Sequence, residues 1–359
     1  MKKIGIMTTG GDCSGLNTVI QRIVRGATLR GWSVWGIIDG TDGLCTNPPN
    51  VIKLDDTVIP IENARLAGSL LHNGHAGAMN FETAAVAGKL EQFNAALRRA
   101  LNKLKFDALI LVGGNGSISL AWCNKEIYSD VQLICIPKTI DMDIPLTDNT
   151  IGFGTAVQQL TSFCDQLMLT ARSHHRWFVV QTMGRDCGNL ALNAGVAVGA
   201  AAILIPEIKF DIDALIAHVR RAPTDYGLIM VAEGISLRGH SGRPADMISR
   251  KLTAAGIANR TAFPEHIQRA GDTTAADRIM AATMADCALN AIENNETYVM
   301  TAVECGMCRT IPLAEFYAAG EIMDDPNIDD VKTSNAYVSP DNPLLDVATG
   351  LGIYLGEIK

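Results

Sequence analysis

One local pattern recurs along this chain and limits what it can fold into: a short apolar β-type run, a glycine-rich turn at its end, then a segment of helical periodicity. Lys3–Thr8 runs into Thr9-Gly10-Gly11-Asp12-Cys13-Ser14-Gly15-Leu16-Asn17, after which Leu16, Ile20, Ile23 and Val24 share one helical face. A second strand is expected over 33–39 and a helix over 90–105. Residues 108–112 form a third strand that ends in Gly113-Gly114-Asn115-Gly116-Ser117, again with a helix after it. Strands alternating with helices, with glycine at strand carboxyl ends, predict the α/β class with a doubly wound parallel sheet.

The next strand, 131–136, leads into Pro137-Lys138-Thr139-Ile140-Asp141-Met142-Asp143. Open α/β sheets bind ligands outside the carboxyl ends of their strands, so this stretch is a candidate site. On extended backbone the i, i+2 spacing points Asp141 and Asp143 to the same side, where two acids can share a cation or a substrate proton. Thr139 adds a hydroxyl and Lys138 a mobile positive charge. The same pair also suits a cap or a surface turn. The first glycine loop offers backbone N–H groups at a helix start, which suits phosphate and equally a plain tight turn; it is neither a Walker A sequence nor a GxGxxG.

In the second half a helix over 154–173 ends in Arg172-Ser173-His174-His175-Arg176. The strand Trp177–Thr182 then leads into Met183-Gly184-Arg185-Asp186-Cys187-Gly188. A helix of small residues over 189–200 and strands over 202–206 and 228–233 predict a second α/β domain resembling the first. A helix is expected over Ala275–Glu293, and the tail 321–359 is expected to be irregular, acidic in its first half, closing with 350–355. No short-period repeat or low-complexity linker separates the halves.

Composition narrows the function classes. With 359 residues, 48% of them hydrophobic, the chain can fill the cores of two domains. A net charge of −8 argues against general nucleic-acid binding, which needs a basic surface. The basic residues gather at 172–176, Arg185, Arg260 and Arg269, several of them beside His or Gly, as a site for a small anion requires. No apolar run reaches the ~20 residues that span a bilayer. The chain opens directly on a strand, so a cytoplasmic protein without a signal peptide or a membrane partner is expected. The nine cysteines are odd in number, and Cys135, Cys164, Cys187 and Cys287 lie in apolar or glycine-rich stretches that suit reduced thiols. Cys305-Gly306-Met307-Cys308 has metal-type spacing but no second Cys/His pair, and is read as two ordinary cysteines.

Taken in order, the loop from Gly10 to Asn17, Gly113-Gly114-x-Gly116-Ser117, the stretch from Pro137 to Asp143, Met183-Gly184-Arg185-x-Cys187-Gly188, Glu233 and His266-Ile267-Gln268-Arg269 resemble the 6-phosphofructokinase family along nearly the whole chain. The resemblance implies two Rossmann-like doubly wound domains with the active site in the cleft between them. Residues 1–152 plus 268–318 would bind the donor, and 153–267 plus 319–359 the fructose 6-phosphate. It implies phosphoryl transfer to fructose 6-phosphate, giving fructose 1,6-bisphosphate in glycolysis, with Mg²⁺ as cofactor. It also implies a homo-oligomer, dimer or tetramer, whose active sites span two subunits.

By the same resemblance Asp141 is the general base, Thr139 and Asp143 hold its geometry or the Mg²⁺ side, and Arg185 meets the charge of the moving phosphoryl group. Arg176 and Arg260 of a neighbouring subunit would take the sugar phosphate with His266 and Arg269, while Met183, Gly184 and Glu233 frame the sugar. Gly11, Gly114, Asn115, Gly116, Ser117, Lys138 and His75 fall on the donor side, with Asn115 and Asp143 as candidates for the metal.

The donor side departs from the best-known bacterial enzymes. Gly116 follows the ATP-using pattern, leaving room for an α-phosphate where pyrophosphate users carry Asp, whereas Lys138 is more typical of the pyrophosphate lineage, although mixed relatives using ATP exist. Asn115 replaces an acid near the metal, Thr41 an aromatic beside the adenine, His75 an Arg on the donor phosphate and Leu120 a Gly beside the nucleotide. ATP is the expected donor and pyrophosphate the alternative; a catalytically weak, sugar-phosphate-binding regulatory subunit is a second alternative. A nicotinamide oxidoreductase would need a GxGxxG and a ribose-binding acid that the chain lacks. In such relatives an inter-subunit site binds ADP or phosphoenolpyruvate. Here Arg25 remains, but Gln21 and Met168 stand at arginine positions, Ala201 at that of a metal-binding acid, and Ala222-Pro223-Thr224-Asp225-Tyr226 at a basic run, so little response to either effector is expected.

Overall fold

A computed structural model describes residues 1–74, 88–235, 242–323 and 337–357. The chain divides into two compact units: Met1–Thr139, Ile144–Thr155 and Arg269–Gly320 form the first, and Ile140–Asp143, Ala156–Gln268 and Glu321–Lys359 the second. Among the described residues no helix is long and apolar enough to cross a membrane.

The strands of the first unit are β1 (Lys3–Thr8), β2 (Ser33–Ile37), β3 (Val51–Leu54), β4 (Ala108–Gly113), β5 (Gln132–Thr139), β6 (Ile151–Gly152), and, after the second unit's strands, β11 (Val299–Glu304) and β12 (Met307–Pro312). They make an eight-stranded sheet in the order β12-β11-β5-β4-β1-β2-β3, with β6 beside β5. All pairings are parallel except β2 with β3 and β11 with β12, which close the two edges. Every residue of β4 is buried, as expected of a parallel strand covered on both faces. Met7, Leu109, Leu111, Leu133 and Cys135 share one core with Phe93 and Leu97 of the helix Leu90–Leu104.

In the second unit β7 (Trp177–Thr182), β8 (Ala202–Leu204), β9 (Gly227–Ala232) and β10 (Asn259–Ala262) form a wholly parallel sheet in the order β10-β7-β9-β8. The two-residue period of the strands divides its core. Phe178, Val180, Leu228 and Met230 pack on one face with Leu160 and Ala191; Trp177, Val179, Ile229 and Val231 pack on the other with Leu215 and Ile248.

The expected strands and long helices are present, with two corrections. β5 continues to Thr139, so Pro137, Lys138 and Thr139 are strand residues rather than the start of a loop. The tail is not irregular throughout: Pro343–Gly350 is a helix, started by the Asn342 side chain accepting the Leu344 N–H at 3.0 Å, with proline in its first turn. The Cys305–Cys308 spacing follows from a hairpin, since Cys305 (φ 50°) and Gly306 (φ 79°) are the two left-handed residues that turn β11 into β12.

Candidate active site

In the first unit the strand order reverses between β1 and β4, and the crevice outside the carboxyl ends at such a point is where sheets of this kind hold ligands. Both strands end in the glycine loops singled out above. The Thr9 N–H donates to Val112 O at 3.0 Å and keeps the two loops side by side. Gly10 is left-handed (φ 74°), and a Cβ on Gly11 would stand 2.5 Å from Arg269 Nη1. Two cations fasten this loop by its carbonyls: Lys138, only 2% exposed, donates its ammonium to Gly11 O, and Arg269 Nη1 donates to Asp12 O at 2.9 Å. With the amino end of the helix Leu16–Leu29 following, side-chain and backbone positive charge converge here, as a polyanion requires. Arg269, expected on the sugar phosphate, thus belongs to the first unit and has its guanidinium on Asp12.

The second loop is Gly114, the N-cap of the helix Asn115–Cys123. Gly113 is a packing requirement, because a Cβ there would lie 2.7 Å from Ser117 Cβ and 2.8 Å from Thr9 Oγ1. Gly116 is different: its φ is not left-handed, and a Cβ would meet nothing within 4 Å. Neither backbone nor packing calls for glycine there, although glycine weakens a helix. Asn115 Oδ1 accepts from Ser119 Oγ at 3.3 Å, Leu120 packs against the first unit's core, and Thr41 lies in the helix Gly40–Cys45. His75 lies outside the described residues.

After Thr139, whose carbonyl takes the Thr150 hydroxyl at 2.8 Å, the chain enters the second unit with Ile140–Asp143. Met142 is left-handed, φ 58°, so the extended backbone expected to point Asp141 and Asp143 to the same side is not there. The reason is tertiary: the Met142 carbonyl is turned to accept Asn189 Nδ2 at 3.2 Å. Asp141 is 5% exposed, and Arg185 Nε stands 3.9 Å from its Oδ2, while the Arg185 side chain is 74% exposed. A buried carboxylate and an outward guanidinium at this separation can act on the same substrate group without being locked to each other.

Arg185 sits in the loop after β7. Gly184 (φ 135°) could not carry a side chain, because its Cβ would meet Cys187 O at 2.4 Å, and Arg185 is itself left-handed at φ 52°. Glu233 Oε1, at the end of β9, accepts the Gly184 N–H at 3.1 Å and the Arg185 N–H at 2.9 Å. This residue, expected to frame the sugar, therefore has a structural task in holding the loop. Three partners of the loop were not singled out from the sequence. Gln268, 1% exposed, accepts the Met183 N–H at 3.1 Å. Asn189 Nδ2 donates to Cys187 Sγ at 3.2 Å as well as to the Met142 carbonyl, and Glu207 Oε1 accepts the Gly188 N–H at 2.9 Å. Gln268 lay within a quoted motif, and an acid just after the apolar run of β8 is the one signal that pointed to Glu207.

Arg176 immediately precedes β7, and Arg260 on β10 is registered against Phe178, the second residue of β7. Met183–Arg185 lie beyond the opposite end of β7. At 3.3 Å per residue the strand separates the two groups by roughly 20 Å. His266 is exposed in the 3-10 turn Glu265–Arg269. Within one copy of the second unit the arginine pair and the Arg185 loop therefore do not form one anion site. Among the described residues no group of three or more His, Cys, Asp or Glu is gathered to hold a metal ion.

Comparison with known proteins shows which family the chain is similar to. The phosphofructokinase family model matches residues 3–292. A protein of Nostoc sp. named ATP-dependent 6-phosphofructokinase 1 is 35% identical over 99% of this chain and 99% of its own. The structure of phosphofructokinase from Saccharomyces cerevisiae matches with a TM-score of 0.80 at 25% identity over 98% of this chain, which spans 48% of the yeast chain. That of a pyrophosphate-dependent phosphofructokinase from Marinobacter aquaeolei shares the fold, with a TM-score of 0.76 at 17% identity over 99% of this chain and 93% of its own. A family match that takes in the glycine loops, the Asp141 turn and the Arg185 loop, together with a relative aligned end to end, gives one assignment: this chain belongs to the phosphofructokinase family.

Proposed function

We propose that the protein is an ATP-dependent 6-phosphofructokinase, moving the γ-phosphoryl group of ATP to the 1-hydroxyl of fructose 6-phosphate. The relative matched over 99% of both chains carries that activity in its name. The observation that carries the reading here is the pairing of buried Asp141 with exposed Arg185 at 3.9 Å. Phosphoryl transfer asks a protein to orient two anions, accept the hydroxyl proton and offset charge on the moving group. Asp141 takes the proton of the attacking hydroxyl, and the Arg185 guanidinium meets the equatorial oxygens of the phosphoryl group. The donor polyphosphate lies on the first unit, over the two glycine loops, and Gly116 leaves space for the α-phosphate.

Mg²⁺ in kinase sites is held by one or two carboxylates with substrate phosphates and water, which fits a chain that offers Asp143 and, among the described residues, no group of three or more His, Cys, Asp or Glu. When bound, the ion would neutralise donor phosphate charge; Asp143 is the carboxylate that could hold it, and the Asn115 amide is the weaker candidate. The sugar phosphate is taken by His266 and Arg269 together with Arg176 and Arg260 of a second copy, since in one copy that arginine pair stands at the far end of β7 from the Arg185 loop. On this reading the working form is a homo-oligomer, and the enzyme is a glycolytic, cytoplasmic one.

A second donor reading rests on Lys138, whose ammonium under the Gly10–Gly11 turn can serve a compact diphosphate as well as a nucleotide. Assaying fructose 1,6-bisphosphate formation with ATP and with pyrophosphate at equal concentration separates the two; turnover with pyrophosphate alone refutes the ATP reading. Asp141→Asn should lower kcat by about 10²–10⁴ and leave fructose 6-phosphate binding intact. Full turnover in that variant refutes Asp141 as the base.

A further inference from the structure

Glu207 follows β8 at the carboxyl end of the second unit's sheet, and no step proposed above uses it. Its Oε1 accepts the Gly188 N–H at 2.9 Å, and its own backbone amide and that of Val338 favour the ionised carboxyl. Gly188 is both the last residue of the Arg185 loop and the N-cap of the helix Asn189–Ala197. The fit is close: a Cβ on Gly188 would stand 2.6 Å from Glu207 Oε2 and 2.4 Å from Ile205 Cβ. Oε2 is itself buried without a hydrogen-bond partner among the described residues. At the other end of the same loop Glu233 accepts the Gly184 and Arg185 N–H groups. The loop that aims Arg185 hangs between two carboxyl groups.

We infer that Glu207 is a positioning residue for phosphoryl transfer, bracing the Gly188 end of the Arg185 loop and helix as Glu233 braces the Gly184 end. The inference rests on the phosphotransferase reading, in which Arg185 meets the moving group. Burial raises the Glu207 carboxyl to about 7, so the brace changes charge near neutrality. An ionised acceptor holds N–H donors about twice as strongly as a neutral one. The loop is therefore held firmly above that pH and loosened as pH falls through it. The groups facing Glu207 do not compete for this titration. Cys187 is buried with its thiol pushed far above neutrality and stays uncharged; Asp143 acts on Cys187; Gly188, Ile205 and Val338 bring no charge.

The test uses the full chain, with Glu207→Gln and Glu207→Ala beside the wild type. Steady-state kcat and KM for fructose 6-phosphate with ATP are followed from about pH 5.5 to about pH 8.5, and amide exchange of the 183–190 segment is followed with correction for intrinsic rates. The wild type should lose kcat on an acid limb near pH 7 with KM little changed. Glu207→Gln, which keeps a neutral acceptor for Gly188, should lose that limb and run about three- to tenfold below the wild-type plateau; Glu207→Ala should fall further at every pH. Exchange in the segment should rise about tenfold or more in Glu207→Ala while β9 stays protected, and Glu207→Gln should restore most of the protection. An unchanged acid limb in Glu207→Gln, or wild-type exchange and kcat in Glu207→Ala, overturns the inference. A wild type that turns over neither ATP nor pyrophosphate refutes the phosphotransferase reading instead, and the exchange arm still decides whether Glu207 braces the loop.

Discussion

Gly116 offers a perturbation in which stability and activity should move in opposite directions. It is the second residue of the helix Asn115–Cys123, its φ is open to any L-residue, and a Cβ would meet nothing within 4 Å. Gly116→Ala should therefore stabilise the fold by about 0.4–1 kcal/mol, mostly by restricting the unfolded chain. Gly116→Asp should add about 0.3–1 kcal/mol more, because a carboxylate in the first turn meets the positive end of the helix dipole. Each kcal/mol moves the Tm of a protein of this size by roughly 2–4 °C, so both variants should melt higher than wild type. A carboxylate about 4 Å from a donor phosphate is repelled by up to ~4 kcal/mol at an effective dielectric of 20, enough to lower kcat/KM for ATP by about 100-fold or more. The assays are thermal unfolding and kcat/KM for ATP at saturating fructose 6-phosphate. Gly113→Ala is the control that should destabilise by about 1–3 kcal/mol, since its Cβ would be forced against Ser117 and Thr9. If Gly116→Ala melted lower than wild type, or Gly116→Asp kept its ATP efficiency, the reading of Gly116 as space reserved for the donor would be refuted.

Three further outcomes are expected. Reassociating Asp141→Asn chains with chains carrying Arg176→Ala and Arg260→Ala should restore activity well above either parent, because hybrid sites regain both the base and the phosphate arginines; no recovery on mixing would refute shared sites. Saturation by fructose 6-phosphate should shift by less than about twofold with millimolar ADP or phosphoenolpyruvate, since Gln21 is core-buried, Met168 and Ala201 pack against the second unit's cores, and Arg25 is paired with Asp56 at 2.8 Å; a shift of about tenfold, ~1.4 kcal/mol of coupling, would contradict this. Asp277 accepts the Thr155 N–H at 2.7 Å, and burial raises its carboxyl above the usual range, so its contribution to stability is full below the ordinary carboxylate pKa and declines as pH rises through the raised value; Asp277→Asn should flatten that part of a urea-denaturation profile, and an unchanged slope would count against it.

The sequence by itself determined what is local. Apolar runs broken by glycine give β1, β4, β5 and β7 with helices after them, and Gly10 and Gly184 mark turns that need a left-handed or closely approached residue. Elements that bury only part of a face were not legible. β3 is an edge strand with two exposed residues, and β12 alternates exposed and half-buried positions without an apolar run. The helix Ile212–Arg221 has a start, Asp211 accepting the Ala214 N–H at 2.7 Å, and an apolar stripe of Ile212, Leu215, Ile216 and Val219, set among charged residues that fill its other face. The details of the site depended on tertiary structure. Met142 leaves the extended region because Asn189, far along the chain, takes its carbonyl, and the Arg185 loop is held by Glu233, Gln268 and Glu207 from separate strand ends. That Arg176 and Arg260 stand near the same end of β7, far from that loop, follows from the pairing of β10 with β7. Propensity and periodicity act over a few residues, whereas hydrogen bonds between distant strand ends exist only once the strand order is set; for that reason the sequence names the chemistry and the fold decides which side chains hold it in place.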